Sequence, residues 1–111
     1  MTDQPCTPQS TTLDDEAVEA TVRLLSAVAH PARLVVLLTL GRQGPMSAGA
    51  LARLAGVEQS AMSHQLRVLR DARLITAERD GKRVIYQLAD HHVAHIVEDA
   101  LSHASEDVTQ D

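Results

Sequence analysis

Two short helical stretches meet at Gly56-Val57-Glu58, and so tight a junction leaves the chain few folds to choose from. Before it, Ser47 is placed to N-cap a helix over Ala48 to Ala55, which Gly56 ends. After it, Ser60 to Asp71 puts Met62, Leu66 and Leu69 on one face and Ser60, Ser63, His64 and Arg67 on the other, with Glu58 or Gln59 near its start. Two helices joined this way form a helix-turn-helix, whose second helix can enter a DNA major groove. Downstream, Leu74 to Glu78 and Arg83 to Leu88 alternate or are β-branched, and Arg79-Asp80-Gly81-Lys82 between them carries the Asp-Gly hairpin signal. A basic hairpin directly after a helix-turn-helix is a wing.

The flanks add helices. Asp14, Asp15 and Glu16 suit the positive end of a helix dipole, and Val18, Val22, Leu25 and Val28/Ala29 follow at helical spacing to about Ala29. His30-Pro31 breaks the chain, and Pro31 opens a second helix, Ala32 to Leu40, apolar on most sides and expected to end at Gly41 before a loop to Pro45. A last helix is expected over residues 91–105, with Asp90 as N-cap. The expected fold is mainly α: a winged helix-turn-helix of five helices plus a two-stranded β-hairpin wing. One domain spans residues 13–106, between a polar, disordered tail over 1–12 and a short acidic tail over 107–111.

Composition narrows the function. Tyr86 is the only aromatic residue, which disfavours base-stacking readers of single strands. Cys6 is the only cysteine, so no intrachain disulfide or thiolate cluster can form, as suits a reducing cytosol. No segment reads as a signal peptide or a membrane span, and a cytoplasmic protein with no membrane partner is expected. The net charge of −5 conceals segregation. Between Gln59 and Arg83 six basic residues face three acidic ones, a surplus of three that leaves −8 elsewhere. Such a basic stretch can meet phosphates while the acidic flanks limit non-specific adhesion.

Four possible metal ligands stand near the C-terminus: Asp90 and His92, then, after ten residues, His103 and Glu106. Eleven positions are close to three helical turns, so His92 and His103 share a face but lie roughly 16 Å apart along the axis. A Zn–N bond is only about 2.0–2.1 Å long, so the two pairs can close one site only if they come from two antiparallel copies of the helix. A two-fold homodimer does this twice, giving two sites per dimer, each with two imidazoles and two carboxylates, a set suited to Zn(II). His91 and His95 lie off this stripe and read as surface histidines.

His30-Pro31-Ala32-Arg33-Leu34, the segment Gln59 to Leu66, the wing segment Gly81 to Tyr86, and Asp90-His91-His92 with His103 and Glu106 together resemble the ArsR/SmtB family of bacterial winged-helix metal sensors, zinc-responsive branch, over roughly Glu19 to Glu106. The resemblance implies an apo homodimer that binds operator DNA and represses, and metal binding that lowers DNA affinity. It also implies that His103 reaches a backbone carbonyl near Arg73. Family members with a thiolate site carry Cys on the first helix of the helix-turn-helix. Here Ser47 and Ala50 stand instead, so a soft-metal effector is not expected. Nickel and cobalt relatives recruit additional ligands, which favours Zn(II) here and leaves Co(II) or Ni(II) as alternatives.

On double-stranded DNA, Gln59, Ser60, Ser63 and His64 are expected at base edges or nearby phosphates, and Arg67, Lys82 and Arg83 at the backbone, with the dimer reading an inverted repeat. A DNA-binding dimer with a structural last helix and a non-metal inducer is the main alternative. An enzyme is not expected: four ligands leave the metal no open position, no HExxH motif is present, and adjacent helical residues such as Ser63 and His64 point about 100° apart.

Overall fold

The computed structural model describes residues 12–109, so the expected tail and Cys6 lie almost wholly outside it, as do residues 110 and 111. The elements run α1 (Asp15–Val28), α2 (Pro31–Gln43), β1 (Met46–Ser47), α3 (Ala48–Ala55), α4 (Gln59–Asp71), β2 (Ile75–Asp80), β3 (Arg83–Leu88) and α5 (His91–Thr109).

Four of the five helices start where a side chain satisfies a free backbone N–H, and α4 starts at Glu58 without such a bond. Asp14 Oδ1 accepts from the Ala17 N–H at 2.7 Å, and that bond, helped by the Thr12 hydroxyl, holds the Asp14 carboxyl below the usual carboxylate range. His30 Nδ1 accepts from the Ala32 N–H at 3.2 Å, with Pro31 at the first turn. Ser47 Oγ caps α3 through the Ala50 N–H, and Asp90 Oδ1 caps α5 through the Val93 N–H, each at 3.2 Å.

The ends of α2 and α5, the number of strands and the bounds of β2, which runs Ile75–Asp80 and not Leu74–Glu78, differ from expectation. Helix α2 continues through Gly41 to Gln43 and ends at Gly44, whose φ of 89° and N–H bond to the Leu40 carbonyl close the helix. Gly41 serves contact instead: a Cβ there would stand 3.3 Å from Leu88 Cδ1 and 3.8 Å from Ala94 Cβ, so the missing side chain lets β3 and α5 approach α2. The hairpin is also not alone. Met46 pairs with Tyr86 and Ser47 with Ile85, giving a three-stranded antiparallel sheet in the order β1-β3-β2. Asp80 pairs with Arg83 across the two-residue turn Gly81-Lys82, where Gly81 takes φ 68° as the turn requires. Helix α5 runs to Thr109, past the expected end at residue 105.

The core is aliphatic. Val36, Leu37 and Leu40 of α2 sit at its centre, with Leu51 of α3, Met62, Leu66 and Leu69 of α4, Leu74 and Ile75 entering β2, and Val93 and Val97 of α5. Arg33 joins three helices, its Nε donating to the Ala27 carbonyl at 2.6 Å and its Nη1 to Gln65 Oε1 at 2.8 Å. Arg42 clamps α2 to α5 by two bonds to the Glu98 carboxylate, 2.6 and 2.9 Å.

The α1 stripe behaves differently. Only Ala27 of that helix is buried, while Val18, Val22 and Leu25 stay 45, 56 and 48% exposed, and Ile96 of α5 stays 40% exposed. The amphipathic pattern is real, but among the described residues nothing covers Val18, Val22 and Leu25. No single described helix is long and apolar enough to cross a membrane.

Candidate nucleic-acid interface and metal-ligand positions

Burial of Met62, Leu66 and Leu69 turns the opposite side of α4 to solvent, and Gln59, Ser60, Ser63, His64 and Arg67 are all exposed there. The start of this helix faces the wing across a groove of about 460 Å³. Gln59 and Ser63 line it from α4, Lys82 and Arg83 from the hairpin, and Ser47 and Arg53 from the α3 side. None of the residues lining the groove is acidic, so three cations face hydroxyl and amide donors with no carboxylate to neutralise them. The structure therefore brings Gln59, Ser63, Lys82 and Arg83 to one surface. Ser60, His64 and Arg67 stand on the exposed side of α4 outside the groove lining.

Arg53 is the residue that the sequence reading missed. Its place in the last turn of α3 marked it only as a cation near a helix C-terminus, and only the docking of α3 against α4 and the sheet aims it into the groove. Gly49 lies against this pair, and a Cβ there would meet Gln59 Oε1 at 3.4 Å and Arg53 Nη1 at 3.7 Å, ordinary contact distances. A groove of this kind can seat backbone phosphates while the adjoining helix presents hydrogen-bonding groups to base edges.

The four candidate metal ligands are exposed, Asp90 as the N-cap of α5 and the other three on the helix. Asp90 and His92 are already adjacent, with His92 Nδ1 3.6 Å from Asp90 Oδ1, and the cap bond to Val93 fixes the carboxylate. His103 and Glu106 lie one turn apart near the other end of the helix. Ten residues of unbroken helix separate His92 from His103, and among the described residues no three His, Cys, Asp or Glu side chains of one chain converge on a metal position. The donor set fits Zn(II) in kind, two imidazoles and two carboxylates, but each end of the helix offers half of it.

Residues 28–78 match a family described as a helix-turn-helix domain. Over 95 residues the chain is 43% identical to the HTH-type transcriptional regulator NmtR of Mycobacterium tuberculosis, covering 86% of this chain and 78% of that protein. It is 42% identical over 92 residues to the HTH-type transcriptional repressor SmtB of the same species, covering 83% of this chain and 67% of that protein. Among solved structures, the homodimeric winged helix-turn-helix DNA-binding domain of Mb0332 from Mycobacterium bovis matches with a TM-score of 0.80 at 27% identity, over 93% of this chain and 96% of that one. Fold and relatives place the protein with transcriptional repressors and not with enzymes. With its winged helix-turn-helix and these relatives, the chain belongs to the ArsR/SmtB family of winged-helix metal-sensing repressors.

Proposed function

We propose that this repressor works as a homodimer whose apo form binds a double-stranded operator containing an inverted repeat, and that Zn(II) at two inter-subunit sites on α5 lowers its DNA affinity. Each site takes Asp90 and His92 from one protomer and His103 and Glu106 from the other. The observation that carries the reading is the pair of half-sites on one continuous helix, the first with its carboxylate and imidazole 3.6 Å apart and the second about three turns away. The uncovered stripe of Val18, Val22 and Leu25, with Ile96 on α5, supports the dimer independently, because apolar area left in water is stabilised by about 25 cal/mol per Å² once a partner covers it. The Mb0332 domain, which is homodimeric, points the same way.

On the DNA, Gln59, Ser60, Ser63 and His64 reach base edges or nearby phosphates, and Arg67, Lys82 and Arg83, joined by Arg53, neutralise the backbone. A bound metal supplies a cross-link between protomers, and the chain supplies the selectivity for it. Asp90 holds its carboxylate in place by capping α5, and neutral imidazoles with carboxylates favour Zn(II), with Co(II) or Ni(II) as the nearest substitutes. The effector must bind the DNA-poor arrangement of the dimer more tightly than the DNA-competent one, by about 3 to 5 kcal/mol for near-complete release. Repression of this kind takes place in the cytoplasm, where the operator is.

One observation favours a second reading, an organic inducer. A cleft of about 780 Å³ lies between α1, α2 and α4, bordered by Arg23, Arg33 and Arg73. Titration of Zn(II) into the protein–operator complex, followed by anisotropy of a labelled duplex, separates the two. Wild type should release DNA, and His103→Ala should stay bound. Equal release by both proteins would remove the inter-subunit site from the mechanism.

A further inference from the structure

The first turns of α5 carry three imidazoles in contact. The ring centroids of His91 and His92 are 4.4 Å apart, and those of His91 and His95 are 5.6 Å apart with the planes at 76°. All three side chains are exposed. The buried Val93 and Val97 fix the helix beneath them.

His91 and His95 stand four residues apart on one face, the spacing with which the two histidines of an H-E-x-x-H helix hold a single zinc ion. Here the segment reads H-H-V-A-H. At about 100° per residue, the pair points roughly 80–100° away from the His92–His103 stripe, so it lies outside the inter-subunit half-site and is complete in one chain. An ion about 2 Å beyond a nitrogen of each ring, in a tetrahedral arrangement, sets the ring centres about 5 Å apart, close to the separation found. The neighbouring charges suit a cation. Asp99 follows His95 by four residues on the same side, and the Arg42 guanidinium is neutralised by Glu98.

We propose that His91 and His95 form a second metal site, an intrachain bis-imidazole chelate for a borderline divalent transition metal such as Ni(II), Cu(II) or Zn(II), with water completing the coordination. Imidazole suits these ions, and two protein ligands leave the site weaker and less selective than a four-ligand one. The site goes beyond the inter-subunit pair proposed above and needs no second chain. Metal uptake then reaches two ions per chain, where the inter-subunit sites alone give one.

Equilibrium dialysis of the full chain against Ni(II) tests this with His103→Ala, which disables the inter-subunit site. That variant should still take up one ion per chain. Adding His95→Ala should weaken the uptake at least as much as the ~10-fold that even an outer-sphere partner of a metal ligand is worth. Adding His64→Ala instead should leave it unchanged. The proposal fails if His103→Ala binds no Ni(II), or if the His103→Ala/His95→Ala protein binds as tightly as His103→Ala. If the inter-subunit site is the one at fault, wild type and His103→Ala each bind a single ion per chain and loss of His95 empties both, which upholds the chelate alone.

Discussion

Removing the two cations at the wing tip, Lys82→Ala with Arg83→Ala, should change how DNA binding responds to salt more than it changes anything else. The register pairs Asp80 with Arg83, so Lys82 sits in the turn and Arg83 opens β3, and both border the groove at the start of α4. If each cation meets one phosphate, the proposed dimer loses four contacts. Each phosphate contact adds about 0.9 to the slope of log K against log salt, so the slope should become shallower by roughly 3.6. Between 50 and 200 mM salt the wild type should then lose about two decades of affinity more than the variant. The phosphate contribution is independent of sequence, so any labelled duplex serves for an anisotropy titration at several salt concentrations, with circular dichroism confirming that the variant folds. Parallel lines for the two proteins would refute the placement of the wing on the backbone. Asp80→Asn, which removes an acid from the same turn, should instead tighten binding at low salt.

Three further outcomes concern the scaffold. Leu66→Ala, at a position 1% exposed, should cost about 2–5 kcal/mol in urea unfolding at fixed protein concentration, and a cost near zero would contradict its place in the core. Gly44→Ala should cost about 1–3 kcal/mol, because φ 89° and ψ −170° are strained for any side chain, although a Cβ would meet nothing within 4 Å; an unchanged unfolding midpoint would show that α2 ends elsewhere. The Arg42 guanidinium, chiefly by hydrogen bonding, holds the Glu98 carboxyl below the usual carboxylate range. The stabilisation is therefore full above the ordinary glutamate value and is lost as pH falls through the lowered one, so the stability gap between wild type and Arg42→Gln should shrink in acid and stay constant near neutrality. A gap that does not change with pH would count against the pair.

The helix-turn-helix and wing were legible because local chemistry fixes each break. Ser47, Gly56, Gly81 and Asp90 act on their immediate neighbours and behave as read, while Asp80, expected in the turn, is instead the last residue of β2 and pairs with Arg83. What escaped depends on distant partners. Two residues of β1 have no periodicity, and only Tyr86 and Ile85, some forty positions on, make them a strand. Gly41 reads as a helix end until Leu88 and Ala94 are seen to need its space. The α1 stripe was legible as amphipathic, but the pattern cannot say whether its cover belongs to the same chain. Arg53 shows the same limit at the site: residue type was visible, while its direction depended on how α3 docks. The proposed metal half-sites are legible only as a spacing, since helix rise decides that one chain cannot close them.

Helix α5 divides its circumference between tasks, and the division bears on how a metal at the proposed sites would be felt at the DNA without touching α4. Val93 and Val97 lock one stripe into the core, and Glu98, bonded to Arg42, ties the adjoining edge to α2. Through Arg33, α2 in turn holds Gln65 of α4. An aliphatic interior packed like a crystal yields little, which ties α5 to α4 within a protomer. The soft variable left in the proposed dimer is the angle between protomers. A metal that draws its ligands from both chains responds to that angle, and so does an inverted-repeat operator, which requires the two recognition helices to be about one helical turn of DNA apart. Two ligands that favour different values of one shared coordinate must oppose each other's binding, and by linkage each weakens the other by the same factor. The antagonism needs no wire between the sites, only a stiff protomer and an interface that can rotate.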